Sequence, residues 1–383
     1  MGVKPLKINA EDQPYIEMIK AMNRDYPIKF PISKKSLSML KLVYSPEQAQ
    51  LLSHFKKPFF DQVTPKELMK RSGLSKKEIQ VLLDPLAEIG VVMKIFGTYA
   101  LLPIVPGLFE FYYISSKDKK ENLIQVGKIF EELAEEGFMN ELIASKTPFF
   151  RTLPSSEPVE KTIAINQPIE AKHEILPFEI VKDYVKMARN WAVVECACRT
   201  HSGLLGDTCE RTHTTNCMAL DVGADWVIQS GWGKQLSYTE ALDLLRQGEK
   251  DGLVHTVMNT TSTPILICNC CPCHCGILGT IIKTRNARAC VKSNFFPQFD
   301  SEKCVLCNTC VKICPMEALF HHYPVTETLQ DDYIAIVPEQ CIGCGVCASN
   351  CSKDAITMVK VKDDIPPANI FELFAKSEAE RLF

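Results

Sequence analysis

The chain has 383 residues, 46% hydrophobic and 23% charged, with a formal net charge of −3. This is ordinary globular usage, long enough for two or three domains, and it excludes a globally basic protein drawn to nucleic acid or an anionic membrane. The outlying number is 18 cysteines, none before Cys196 and all between Cys196 and Cys351. Residues 1–8 contain no apolar signal core, and position 6 is Leu, outside the myristoylation pattern. The longest apolar stretches, such as residues 100–105 and 264–268, are far too short to span a bilayer. These features lead to the expectation of a cytoplasmic, reduced protein whose thiols bind metal rather than pair as disulfides.

The cysteine-free half opens with a helical pattern over residues 36–55, carried by Leu37, Leu40, Val43, Leu51 and Leu52. Thr64 caps a second helix, with Pro65 at its first position. Gly73-Leu74-Ser75 turns the chain into a third helix that ends at Gly90, and two short strands about a turn follow over residues 91–101. Helix, helix-turn-helix and β-wing is the order of a winged-helix-like domain, placed at residues 1–112 with the N-terminal arm. Residues 75–89 would be its recognition helix, and Asp84-Pro85 would bend that helix or end it early. Between residues 33 and 100, 11 Lys/Arg face 6 Asp/Glu, a thin excess for phosphate contacts, so protein docking is expected rather than nucleic-acid binding. Residues 113–180 read as one or two helices up to 153 followed by a Pro-, Ser- and Glu-rich linker over 154–170.

A cysteine-rich α/β domain is expected over residues 181–293. Trp191-Ala192-Val193-Val194 and Pro264-Ile265-Leu266-Ile267 read as short buried strands that each end in a cysteine group. The first group is Cys196, Cys198, Cys209 and Cys217; the second is Cys268, Cys270, Cys271, Cys273 and Cys275. Together these nine are candidate ligands of a third metal site, either an iron–sulfur cluster or a structural zinc ion. His274 lies inside the ligand run and is the histidine to test; His201, His213 and His255 read as packed or polar residues. Arg199 and Arg211 are candidates to donate hydrogen bonds near a cluster, and Cys290 reads as a buried hydrophobe. Ser237-x-x-Glu240 is a capping box that starts a scaffold helix running to Lys250 and stopped by Gly252.

Residues 294–360 carry an internal repeat. Cys304-x2-Cys307-x2-Cys310-x3-Cys314 recurs 37 positions later as Cys341-x2-Cys344-x2-Cys347-x3-Cys351. This is the spacing for [4Fe–4S] ligation in which the fourth cysteine serves the other cluster. Three thiolates two residues apart wrap one loop around three corners of a cube, and the fourth, at the start of a helix, lies too far round to close it. Cys304, Cys307, Cys310 and Cys351 are therefore assigned to one cluster, and Cys341, Cys344, Cys347 and Cys314 to its neighbour. The segment resembles the two-cluster bacterial ferredoxins over residues 296–360, with Ser352 in place of a proline and Leu306 and Asn308 where the second loop has Gly343 and Gly345. Residues 319–337 read as an extended hairpin. The wider pattern, from Cys196 through Gly252-Leu253-Val254-His255 and the Cys268–Cys275 run to the repeat, resembles multicluster ferredoxin-like iron–sulfur proteins of anaerobic microbes. Adjacent Cys270 and Cys271 loosely resemble the cysteine pairs of heterodisulfide-reductase-type subunits, without the long spacings. Residues 361–383 read as a tail helix bearing Ile370, Phe371, Phe374 and Leu382.

The fold expectation is α+β multidomain: a winged-helix-like N-terminus, a cysteine-rich α/β middle and a C-terminal 2[4Fe–4S] ferredoxin-like domain. The resemblance implies an electron-transfer protein or subunit of an anaerobic redox complex, working with redox partner proteins. Neither a dinucleotide fingerprint nor a P-loop pattern is present, and no catalytic acid or base stands out. Two other readings remain open here: a reductase whose third cluster acts on a disulfide or small substrate, and a redox-sensing winged-helix regulator.

Overall fold

The computed structural model describes residues 9–165, 175–323 and 332–382. The chain forms two units, the first of Met1–Ser145, Glu195–Thr208 and Phe374–Phe383, the second of Lys146–Val194 and Cys209–Leu373. In the first unit the helices are α1 (Gln13–Met22), α2 (Lys34–Val43), α3 (Pro46–Leu52), α4 (Pro65–Ser72) and α5 (Lys76–Glu88). Strands β1 (Val92–Ile95) and β2 (Thr98–Leu101) pair antiparallel, and Val63 bridges Tyr99 beside them. Helices α6 (Phe109–Ser115) and α7 (Lys120–Glu135) follow. The single helical pattern expected over 36–55 is two helices, because Ser45 caps a new one with Pro46 at its first position. Pro85 does not end α5, which continues to Glu88.

The second unit is built on a sheet. Its elements in chain order are β3 (Phe150–Leu153), α8 (Ser156–Ile165), α9 (Val181–Met187) and β4 (Trp191–Glu195). After α10 (Ala197–Leu204) of the first unit come β5 (Thr215–Leu220), α11 (Val222–Gln229), β6 (Gly233–Leu236), α12 (Tyr238–Lys250), β7 (Val254–Met258) and β8 (Leu266–Cys270). Then follow α13 (Gly276–Thr284), β9 (Cys290–Val291), β10 (Phe295–Phe299), α14 (Thr309–Ile313), β11 (Leu319–His322), β12 (Tyr333–Ile336), α15 (Val346–Ser349), β13 (Ile356–Lys360) and α16 (Ile370–Ala379). Seven strands join in the order β6-β4-β5-β8-β7-β3-β9. Strand β3, expected within a helical segment, pairs antiparallel with β7 and parallel with β9. Residues 156–165 of the expected linker are helix α8, and residues 166–170 lie outside the described residues.

One face of this sheet is the unit's core. Leu153, Met218, Leu220, Val257 and Ile267 meet Val181, Tyr184 and Val185 of α9 and Ala241 and Leu245 of α12. Side chains alternate along a strand, so the register Met218↔Ile267 puts Cys217 and Cys268, with Cys270, on the opposite face. The repeat closes as two hairpin-like pairs, β10 with β13 and β11 with β12. The expected hairpin over 319–337 is present at its base, and its tip over 324–331 lies outside the described residues. The tail helix α16 belongs to the first unit from Phe374 onward, and there Phe374 is 3% exposed, edge-on to Tyr26 and Phe60 of the same unit.

The two repeat loops differ in how tightly they are enclosed. A Cβ on Gly343 would stand 2.2 Å from the Phe295 carbonyl oxygen and 2.3 Å from Ser293 Oγ. The Ser155 N–H donates to the Cys344 carbonyl at 2.9 Å. In the first loop Leu306 (φ 53) and Asn308 (φ 62) adopt the same left-handed backbone without glycine. Asn308 sits within hydrogen-bond reach of the His321 ring, its Nδ2 3.1 Å from Nδ1. We expect Gly343→Ala to cost about 2–4 kcal/mol in denaturant unfolding, through overlap and strain together. Asn308→Gly, at the equivalent turn, should change stability by less than about 1 kcal/mol.

In the first unit, burial pushes the Glu110 carboxyl up to about 7, against the Gly107 N–H donating to it at 2.6 Å. The folded state therefore binds more protons than the unfolded chain between the ordinary glutamate value of 4.5 and about 7, so stability falls as pH rises through that window. Glu110→Gln should flatten that dependence and recover up to about 3 kcal/mol above the window, read from urea midpoints across pH.

Candidate metal centres

Each repeat loop turns about a cysteine backbone with two left-handed residues, Leu306 and Asn308 in the first and Gly343 (φ 68) and Gly345 (φ 76) in the second. Each then enters a short helix, α14 or α15, that carries the third cysteine. The fourth cysteine was expected at a helix start. Instead Cys314 is the C-cap of α14, and Cys351 follows α15 after its C-cap Asn350. The helices are one turn long and are spent on the third ligand, so the fourth is delivered by the exit from the helix.

Cys304, Cys307, Cys310 and Cys351 line one cavity of about 380 Å³, with Phe299, Ile334 and Ile356 among its apolar walls. Cys314, Cys341, Cys344 and Cys347 line a second of about 350 Å³, with Pro297, Leu319 and Ile336. Sulfur acceptors in both are met by donors displaced by the same 37 positions: Ala318 N–H donates to Cys314 Sγ and Ala355 N–H to Cys351 Sγ, each at 3.3 Å. Burial pushes the Cys344 and Cys347 thiols well up, raises Cys341, and takes Cys310 to about 11. Cys307 alone is lowered, by the Thr309 hydroxyl 3.4 Å away, and it is exposed. Four sulfurs converging in an apolar hole, with amide donors aimed at them, is a donor set suited to an iron–sulfur cube. Thr309, Ala318 and Ala355 escape sequence reasoning as sulfur donors, although the repeat already pairs the two alanines.

Of the nine other candidate ligands, the second unit brings three together with His274. The ligand atoms of Cys209, Cys271, Cys273 and His274 all lie within 4.8 Å of one another. Cys209 Sγ is 3.6 Å from Cys273 Sγ, and Cys271 Sγ is 3.8 Å from His274 Nδ1. Burial, then the neighbouring Cys271 and Cys209 sulfurs, push the Cys273 thiol up to about 12. Thiols so crowded resist ionising together unless a cation shares the site. Two residues from Cys209, Arg211 Nη1 donates to the Ile313 carbonyl at 3.3 Å, directly before Cys314.

The remaining candidates are placed differently. Cys217, Cys268 and Cys270 occupy the sheet face described above, and Cys275 is the N-cap of α13. In the first unit Cys196 is the N-cap of α10, with Cys198 in its first turn. His201 there is a packed core residue: Nε2 donates to the Gly127 carbonyl at 3.2 Å and the ring meets Phe109, Tyr113 and Phe130. Arg199 is 1% exposed in the same unit. His213 is exposed, whereas His255 is buried among polar partners. Cys290 is fully buried beside Thr152 Oγ1 at 3.5 Å, its thiol pushed up to about 12 by burial, as a packed hydrophobe should be.

Among the described residues no helix is long and apolar enough to cross a membrane. Residues 296–352 match the family described as the 4Fe-4S dicluster domain. Ferredoxin-3 of Nostoc sp. is 34% identical over 16% of this chain and 76% of its own length. Pyruvate synthase subunit PorD of Methanothermobacter marburgensis is 30% identical over 22% of this chain and 96% of its own. Ferredoxin-1 of Caulobacter vibrioides is 33% identical over 15% of this chain and 44% of its own. No solved structure matches the chain. With two four-cysteine cavities inside the matched segment and two relatives covered over most of their length, the chain belongs to the ferredoxin-like iron–sulfur proteins that carry a 4Fe-4S dicluster domain.

Proposed function

We propose that this protein is an electron-transfer subunit of a cytoplasmic oxidoreductase complex, relaying single electrons through two [4Fe–4S] clusters. The observation that carries the reading is the division of eight cysteines between two cavities in the crossed pairing, each fourth cysteine facing the other loop's cavity. The clusters supply one-electron redox chemistry with little rearrangement; the chain supplies burial, position and hydrogen bonds to sulfur. The cavity of Cys304, Cys307, Cys310 and Cys351 holds the outer cluster, because Cys307 and Val305 beside it are exposed. The other holds the inner cluster, enclosed by Ser155, Ser293 and Phe295. Electrons are exchanged with the partner at the outer loop. The similarity to a pyruvate synthase subunit supports membership of a larger complex.

The third metal centre is Cys209, Cys271, Cys273 and His274 holding one tetrahedral ion of the zinc class. Thiolates bound to a single such ion at about 2.3 Å stand about 3.8 Å apart, and the 3.6 Å between Cys209 and Cys273 fits that spacing. Cube ligands stand farther apart, since each holds a different iron. Of the two readings of the third site, an iron–sulfur cluster or a structural zinc ion, this spacing supports the zinc ion. The winged-helix-like segment is a protein-docking module, a role supported by the exposure of Phe96 (71%) between β1 and β2 and Val81 (64%) on α5.

Anaerobic metal analysis of the purified protein should give eight irons and one zinc per chain; iron well beyond eight would place a further cluster on the other cysteines and overturn the zinc assignment. Cys351→Ser and Cys307→Ser should disturb the same EPR signal of the reduced protein, and Cys314→Ser and Cys344→Ser the other. If Cys314→Ser instead matched Cys307→Ser, the crossed ligand sets would be wrong. Cys271→Ser should remove the zinc and leave both iron signals in place.

A further inference from the structure

Beneath the repeat lies a buried polar chain that electron transfer alone does not explain. Asn269 Nδ2 donates to the Asn216 carbonyl at 2.5 Å, which fixes the amide so that its Oδ1 faces His255 Nδ1 at 2.7 Å. A carbonyl oxygen only accepts, so His255 Nδ1 carries a proton. The other ring nitrogen, Nε2, is 3.2 Å from Glu249 Oε1. A carboxylate oxygen and a bare ring nitrogen would repel there, so one more proton lies between them, on one or the other. Glu249 Oε1 also accepts from the Ser156 N–H at 3.3 Å, and Oε2 from Ser349 Oγ at 3.1 Å. Glu249 is 5% exposed and His255 1%.

The place of this pair gives the proton a purpose. Ser349 and Asn350 lie between Cys347 of the inner cluster and Cys351 of the outer one, and Asn350 Nδ2 donates to the Glu249 carbonyl at 2.9 Å. On its other side Glu249 forms part of the wall of a solvent-open cavity of about 630 Å³, with Ser156, Glu157, Glu160, Lys182 and Arg246. Lys182 is paired to Glu160 at 2.7 Å and Arg246 to Asp243 at 2.8 Å, so the rim charges are largely matched. Helix α15 presents no charged side chain to Glu249, and on β8 Cys268 and Cys270 point to the face opposite Asn269. Glu249 thus touches water on one side and the ligand-bearing helix on the other.

We propose that the Glu249–His255 pair is a proton-binding site coupled to the clusters. The proton shared by Glu249 and His255 is the one exchanged: when a low-potential external donor adds one electron to a cluster, one proton moves from cavity water into the gap between Glu249 Oε1 and His255 Nε2, forming an O–H or N–H bond in the shared-proton arrangement described above and leaving hydroxide or deprotonated buffer outside. On re-oxidation the electron goes to the acceptor and the proton returns to the cavity. The coupling is electrostatic: negative charge added to the cube favours protonation in a poorly screened interior. By reciprocity, raising the pH must disfavour reduction.

The inference rests on the two-cluster reading, and iron content with two EPR signals tests that reading separately. In the loaded wild-type protein, EPR-monitored redox titrations across pH should show the reduced-to-oxidised ratio at fixed potential falling with rising pH, up to about tenfold per unit. Glu249→Gln, with iron content and both signals retained, should make that ratio independent of pH. Lys182→Gln at the rim should leave the slope as in wild type. A flat wild-type profile with both clusters present, or an unchanged slope in Glu249→Gln, would overturn the proposal. Should Glu249→Gln fail to load, reduced-minus-oxidised infrared spectra of wild type with isotope-labelled histidine decide: ring bands that shift with the label support the site, and their absence overturns it.

Discussion

Much of this protein follows from one constraint: thiolates packed into an apolar interior repel one another and need cations between them. In the repeat the hydrophobic core includes the cysteines themselves. Cys310 and Cys347 pack with Phe295, Leu319, Ile334, Ile356 and Met358, and Cys304, Cys314 and Cys351 lie against the same group. The two cavities are therefore gaps in the core that only a cluster completes. Burial raises the Cys341, Cys344 and Cys347 thiols at the inner gap, so an empty repeat would keep them protonated and its centre poorly packed. On the two-cluster reading, loading with iron and folding of this region would be one event in energetic terms.

The asymmetry between the loops follows from what surrounds them. The second loop uses Gly343 and Gly345 because Ser293, Phe295 and Ser155 occupy the space a side chain would need. The first loop makes the same turn with side chains in place, Leu306 packed against the core and Asn308 beside the His321 ring. Identical ligand chemistry thus sits in two dielectric settings, one dry and one near water. On the two-cluster reading, such a difference would separate the potentials of two otherwise similar cubes.

The grouping of the eight repeat cysteines in two cavities was legible in the sequence because cluster spacing is a local property, fixed by how far a loop reaches around a cube. The capped helix α12 and the strand β4 were legible for the same reason, through the Ser237–Glu240 box and the apolar run from Trp191. What escaped is long-range. Strand β3 has four residues and no pattern of its own; it is a strand because β7 and β9 offer edges to it. Helix α8 was hidden by its Pro- and Glu-rich composition, though Pro158 falls in its first turn, where proline is tolerated. That Cys209 joins Cys271, Cys273 and His274 reflects a chain path no spacing rule encodes. The Glu249–His255 contact needed the orientation of Asn269, set by a carbonyl on another strand.

The position of β3 has a consequence for biosynthesis. Opposite it in register stand His255 to Met258 of β7 and Cys290 and Val291 of β9, roughly a hundred or more residues downstream. At a translation rate of about 5–20 residues per second, this strand waits seconds on the ribosome with both edges unpaired. The β10–β13 pair likewise cannot form until Lys360 has emerged. Cluster assembly machinery would meet a nascent chain already carrying most of its cysteines but lacking the strand that closes the fold. Protection of those thiols in the interval is a requirement that the topology places on the cell.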